Sequence, residues 1–192
     1  MRHRLALSFA LAGTILSAQD LSGGLQTGLS LPVGDLKDKS GAGTNAFFGA
    51  HIGGHLDFTL TPHHEVRAQL TFHNLQGSDW GGGYRNLQHD FKILQAGADW
   101  VYHFQSPRQG WYTIAGASLN SIKDDYNGNN FSGSSSQSGR LGVRGGGGFT
   151  FNQVFSLEGT LNQVAVDKNG ADGFGFDTAT WAQVSALFRF GR

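Results

Sequence analysis

Residues 140–152, RLGVRGGGGFTFN, alternate between two faces. Leu141, Val143, Phe149 and Phe151 share the odd positions with Gly145 and Gly147. Arg140, Arg144 and Thr150 share the even positions with Gly142, Gly146 and Gly148. A period of two marks a β-strand, not a helix. Seven other segments repeat the pattern. Leu21, Leu25, Leu29 and Leu31 oppose Ser22, Gln26 and Ser30. Ile52, Leu56, Phe58 and Leu60 oppose His51, His55, Asp57 and Thr59. Val66, Leu70 and Phe72 oppose Glu65, Arg67, Gln69, Thr71 and His73. Leu94, Trp100, Tyr102 and Phe104 oppose Gln95, Asp99 and His103. Trp111, Thr113 and Leu119 form one face of the fifth segment. Leu157 and Leu161 oppose Glu158, Thr160 and Asn162. Val184, Phe188 and Phe190 oppose Trp181, Gln183, Ser185 and Arg189.

The connections alternate in kind. Residues 61–64, 105–110 and 152–153 read as tight turns, whereas 32–45, 76–88, 121–139 and 167–178 read as longer loops rich in Gly, Asn, Ser and Asp. Each segment matches the roughly 9–11 residues that a tilted strand needs to cross a bilayer. Eight such strands, with short turns at one end and four longer loops at the other, predict an all-β, antiparallel up-and-down transmembrane barrel. Closure removes the strand edges that lipid cannot hydrate. The apolar faces then meet lipid and the polar faces line a narrow lumen.

This register collects Asp57, Glu65, Asp99 and Glu158 with Arg67, Arg140, Arg144 and Arg189 in the lumen, four acids against four bases. Paired charge is tolerable in so confined a space, and unpaired charge is not. Phe58, Trp100, Tyr102, Phe104, Trp111, Phe149, Phe151, Phe155, Phe188 and Phe190 fall near strand ends on the short-turn side. They predict an interfacial aromatic girdle.

Composition narrows the class. The chain of 192 residues has 30 Gly, 15 Phe, 3 Pro and no Cys, which leaves no disulfide framework. It opens MRHRLALSFALAGTILSAQD, a basic stretch, a short apolar run and a small-residue site. This predicts a cleaved secretory signal over 1–18 and a mature barrel over 19–192. Without Arg2 and Arg4 the chain keeps 12 basic residues against 14 acidic ones, so no nucleic-acid surface is expected.

With the strands placed, the chain resembles the small outer-membrane β-barrel family of OmpA/OmpX type. LPVGDLKD (Leu31 to Asp38) and the terminal ALFRF (Ala186 to Phe190) carry the local likeness, and the architecture carries the rest. The resemblance implies an outer-membrane location, contact with outer-membrane lipid and lipopolysaccharide, and recognition of the last strand by the barrel-insertion machinery. A monomer without cofactor is expected.

Other constellations carry less. His51 and His55 share a face but stand about 13 Å apart by the strand rise, too far to share a metal ion. His63 and His64 read as turn residues. RGGGGF lacks the Lys-Ser/Thr and the strand-to-helix step of a phosphate loop. Ser118, Ser156 and Ser185 have no evident His partner in register, and Ser134 to Ser136 read as loop, so no hydrolytic triad is assigned. Asp124, Asp125, Asp167, Asp172 and Asp177 make the loops acidic and able to attract divalent cations. Trp80 and Phe131 in the same loops are candidate contact residues. The expected role is structural or surface interaction through the loops. The alternative is a narrow channel through the charged lumen, and less expected is a lipid-modifying enzyme.

Overall fold

In the computed structural model, residues 20–37, 46–77, 88–105, 109–128, 131–169 and 174–191 are described. The leader 1–18, Trp80 and Asp172 lie outside them, as does the side chain of Phe131. Eight strands follow in chain order: β1 (Asp20–Val33), β2 (Ala46–Thr59), β3 (His64–Gly77), β4 (Gln88–His103), β5 (Gly110–Gly128), β6 (Phe131–Thr150), β7 (Phe155–Ala165) and β8 (Thr178–Phe190). Each pairs antiparallel with the next, and β8 pairs with β1, closing the barrel. A short 3-10 turn at Gly34–Leu36 follows β1.

The alternation sets the two surfaces. Leu21, Leu25, Leu29, Ile52, Leu56, Leu70, Leu94, Leu119, Leu141, Leu161 and Val184 are exposed on the outside, whereas Gln26, Asp57, Arg67, Gln95, Arg144 and Gln183 are buried inside. An exterior this apolar, around an interior this polar, inverts a water-soluble protein and matches a lipid-facing barrel. On the fifth strand Trp111, Leu119 and Thr113 face outward, and Tyr112 and Ile114 face the lumen.

Local chemistry fixes the tight turns. Thr61 Oγ1 accepts from the backbone N–H of His63 and His64, at 3.3 and 3.1 Å. Asn152 Oδ1 accepts from Val154 and Phe155 N–H, both at 2.9 Å. Such side chains replace a backbone turn bond and specify reversal. His64, read from the sequence as the last turn residue, proves to be the first residue of β3.

One predicted loop is a sheet. Residues 121–139 fall largely within β5 and β6, and Ser134 to Ser136 pair with Asp125, Asp124 and Lys123. Above the barrel both faces of this hairpin meet a polar environment, so its alternation is polar on both sides and hydrophobic periodicity does not register it. A bulge opposite Ser121 also resets the inward parity of β6 between Arg140 and Gln137. Gly139 there has φ +69°, a conformation open to glycine at no steric cost.

Glycine content inside the wall reflects crowding. A methyl group on Gly116 would meet Asp99 Oδ1 and the Ala98 carbonyl, whereas one on Gly159 would point into open space. Gly116→Ala is therefore expected to destabilise the folded barrel by about 1–3 kcal/mol through overpacking. Gly159→Ala is expected to leave it unchanged, with urea unfolding of the refolded protein as the measurement.

Candidate functional site

The lumen is stratified along the barrel axis. Nearest the short-turn end lies a charged layer. Arg189 Nε donates to Asp57 Oδ2 at 2.9 Å, and Arg67 Nε donates to Asp57 Oδ1 at 2.7 Å. Arg67 Nη1 donates to Glu158 Oε2 at 2.6 Å, and Arg144 Nη2 donates to Glu158 Oε1 at 3.0 Å. Arg144 Nε then stands 3.4 Å from Asp99 Oδ1. The result is an alternating chain, Arg189–Asp57–Arg67–Glu158–Arg144–Asp99, drawn from six strands. Glu65 stands 3.5 Å from Arg67 and 3.6 Å from Arg189. Charge-assisted bonds of this kind are the strong ones, and burial leaves water unable to replace them.

Arg140 does not join this layer. It lies four residues beyond Arg144 on β6, beside the bulge, and its guanidinium pairs with Asp167 at the rim. The central layer therefore has four carboxylates and three guanidinium groups. Residues outside the sequence-based set complete it. Tyr112 donates its hydroxyl to Glu158 Oε2 at 3.0 Å, and its ring faces the Arg67 guanidinium at 6.0 Å. His55 lies 3.5 Å from Asp57, and His103 lies 3.9 Å from Glu65. The strand alternation was the signal for all three, since it already turned them inward.

Toward the long-loop end the lumen becomes neutral but polar. Gln26 bonds Gln69 at 3.2 Å and also bonds Thr71. The Ser30 hydroxyl lies 3.1 Å from His51 Nδ1 and 2.9 Å from His73 Nδ1. His51 Nε2 lies 3.0 Å from the Ser185 hydroxyl and 3.2 Å from Gln183 Nε2. Ser185 thus has a His partner, which the sequence alone did not reveal: β2 and β8 flank β1, and His51 reaches Ser185 over Gly28, which stands opposite both. The partner carries no carboxylate bond, since its other nitrogen meets Ser30. Both groups are buried inside the wall, away from any lipid ester. Ser118 bonds Gln95 and Asn120, and Ser156 bonds Thr150. Among the described residues no group of three His, Cys, Asp or Glu side chains is arranged to hold a metal ion.

Above this lies an apolar plug. Leu36, Leu75, Phe91, Ile93, Ile122, Val164, Val166, Phe174, Phe176, Ala179 and Trp181 form one buried cluster. Trp181 packs edge-on to His73 at 5.5 Å, joining plug to polar layer. Phe174 and Phe176 come from the β7–β8 connection, where Phe174 N–H bonds the Asp167 carbonyl at 3.1 Å. Their spacing by two in GFGFD was the available sign that this connection folds inward.

The predicted girdle residues gather on the outside at the short-turn end. Trp111 packs on Phe149 at 5.2 Å, Phe149 on Phe151 at 5.0 Å, Phe151 on Phe155 at 5.5 Å and Phe155 on Phe188 at 5.4 Å. Tyr102 packs on Phe104 at 5.4 Å. Trp100 Nε1 donates to His64 Nδ1 at 3.1 Å, so His64 belongs to the same belt. Phe58 and Phe190 end their strands on this side, Phe58 half-buried and Phe190 exposed.

Among the described loop acids, Asp125, Asp167 and Asp177 already pair with basic side chains. Asp125 accepts from Lys92 at 2.8 Å and pairs with Lys123 at 2.7 Å. Hydrogen bonds from Lys123 and Lys92 hold its carboxyl below the usual carboxylate range. Asp167 is taken by Arg140, and Asp177 lies 3.8 Å from Lys168. Asp124 is buried on the inner face of β5.

Closed wall, filled lumen and apolar exterior define the fold class of the small eight-stranded outer-membrane barrels of OmpA/OmpX type. Among solved structures the chain is similar to Ail, the attachment invasion locus protein of Yersinia pestis. That match has TM-score 0.58 and 12% identity, over 90% of this chain and 100% of that one. It is also similar to the N-terminal β-barrel domain of Pseudomonas aeruginosa OprF, with TM-score 0.54 and 15% identity, over 90% of this chain and 99% of that one. No protein-family profile matches the chain, and no curated protein matches it in sequence.

The stratified lumen makes the arginines unequal. Arg67→Met leaves Asp57 with Arg189 alone and Glu158 with Arg144 and Tyr112, one positive charge fewer against four buried carboxylates, and is expected to cost about 3–5 kcal/mol. Arg140→Met removes a rim pair and is expected to cost about 1 kcal/mol or less. Urea unfolding of the two variants side by side measures the difference.

Proposed function

We propose that the protein is a closed outer-membrane barrel that presents a protruding sheet for contact at the cell surface. The observation that carries this reading is the extension of β4, β5 and β6 past the rest of the wall. β6 pairs with β5 from Phe131 to Thr150, but with β7 only from Gly142 to Thr150. Among the described residues, no strand pairs with the β7-side edge of β6 between Phe131 and Leu141. That stretch holds serine, glycine and Gln137 before Arg140, with no proline. Such an edge offers backbone donors and acceptors to another chain. The name of Ail, attachment invasion locus protein, describes a contact role for that neighbour, and a contact role here is in keeping with it.

Two features support a closed lumen over a conducting one. The charged chain crosses the interior from β8 to β4, and the apolar plug crosses it again near the long-loop end. The reading assigns no catalysis and no cofactor. It places the short turns in the periplasm and the long loops outside, with the barrel inserted as a monomer through its C-terminal strand.

Two measurements test it. Ser134→Cys is expected to react with a membrane-impermeant maleimide on intact cells, whereas Pro62→Cys reacts only after the outer membrane is permeabilised. Equal labelling of both on intact cells overturns the location or orientation. In planar bilayers the refolded protein is expected to be electrically silent. Discrete openings that change in Arg144→Gln or Glu158→Gln would replace the contact reading with a channel.

A further inference from the structure

On the outer face of β4 and β5 the side chains are sorted by depth. Along β4 the outward positions run Leu94, Lys92, Asp90, and along β5 they run Leu119, Ser121, Lys123, Asp125. Leu94 and Leu119 are exposed members of the apolar band. Lys92 and Lys123 lie directly opposite each other in the β4–β5 register, and Asp90 lies opposite Asp125 one outward position higher. Asn74 faces Lys92 from β3, and Ser136 faces Lys123 from β6. The order is therefore apolar band, then two adjacent ammonium groups flanked by neutral polar side chains, then two carboxylates on the water side.

Like charges directly opposite each other in a sheet repel. Here Asp125 draws both ammonium groups together from above, at 2.8 and 2.7 Å. The side chains of Lys92 and Lys123 remain 43% and 51% exposed, so both keep donors free for a further acceptor. That acceptor meets the lysines first if it comes from the band edge, because the carboxylates stand beyond them. A lipid phosphate lies at this depth, with its acyl chains running down past Leu94 and Leu119.

We propose that Lys92 and Lys123 together bind the phosphate of a lipid headgroup in the leaflet at the long-loop end. The inference rests on the membrane placement proposed above. It needs no divalent cation between loop acids and lipid. Asp125 is already committed to lysines, so the protein supplies the bridging cations itself.

The test uses the refolded protein in phosphatidylcholine vesicles with trace spin-labelled lipid, either phosphatidylcholine or phosphatidic acid. The readout is the motionally restricted fraction of each label. Wild type is expected to favour phosphatidic acid by about fivefold or more, the scale of one basic residue at a charged membrane surface. Lys92→Gln with Lys123→Gln is expected to lose most of that preference, and Lys168→Gln, a loop lysine, to keep it. An undiminished preference in the double variant, with its β-sheet circular dichroism intact, overturns the site. Excess inorganic phosphate is expected to change little, and abolition of the preference by it means a free-anion site and overturns the lipid assignment. Should wild type restrict neither label, the membrane reading itself fails and the site with it. Restriction of both labels without selectivity overturns only the site.

Discussion

Eight strands close around a space barely wide enough for their own side chains, and six of them place seven charged groups there, two from β3. Arg189, Asp57, Arg67, Glu158, Arg144 and Asp99 can share that space only by alternating in sign. Much else in the interior follows from this chain. Gly116 is glycine because the Asp99 carboxylate occupies the volume a side chain would need. Gly148 is glycine because the Tyr112 ring that bonds Glu158 lies over it. The inward glycines of the β6 run, Gly146 and Gly148, are therefore a packing solution. The closed hydrogen-bond ladder offsets the weak strand propensity they bring.

The stratification sorts the interior into charged, polar and apolar layers. Charges gather where partners from several strands converge. Amides, hydroxyls and imidazole groups take over where they do not. Leu36, Phe91, Phe174, Phe176 and Trp181 close the end where the chain leaves the wall. The plug lets the β7–β8 connection pack against the wall as a folded element. The extension of β4, β5 and β6 begins at the same end, next to this packed apolar cluster.

Outside, the same period of two sorts residues by medium. Leucines and valines cover the middle and aromatic rings gather at the short-turn end. Lysines with aspartates above them mark the long-loop end on β4 and β5. His64 illustrates the economy of the belt, since it begins β3 and also accepts the Trp100 indole N–H. The two ends of the barrel thus differ chemically. That asymmetry gives the molecule a direction in a membrane.

The sequence by itself determined the strand count, the two faces of most alternating segments and the position of the short turns. These follow from local rules: period two, turn residues such as Thr61 and Asn152, and the length that spans a bilayer. It also brought Asp57, Glu65, Arg67, Asp99, Arg144, Glu158 and Arg189 to the inner face. Only the tertiary structure decided which of them touch. Depth along the axis depends on the stagger between strands, and no single strand encodes it. That is why Arg140, on the same face of β6 as Arg144, ends at the rim with Asp167. It is also why Ser185 finds His51 over Gly28 of the strand between them. The Ser-rich stretch 131–139 hid a strand because polar surroundings on both faces erase the hydrophobic signal. The plug stayed hidden because Phe174 and Phe176 gain their burial only from strands far away in the chain.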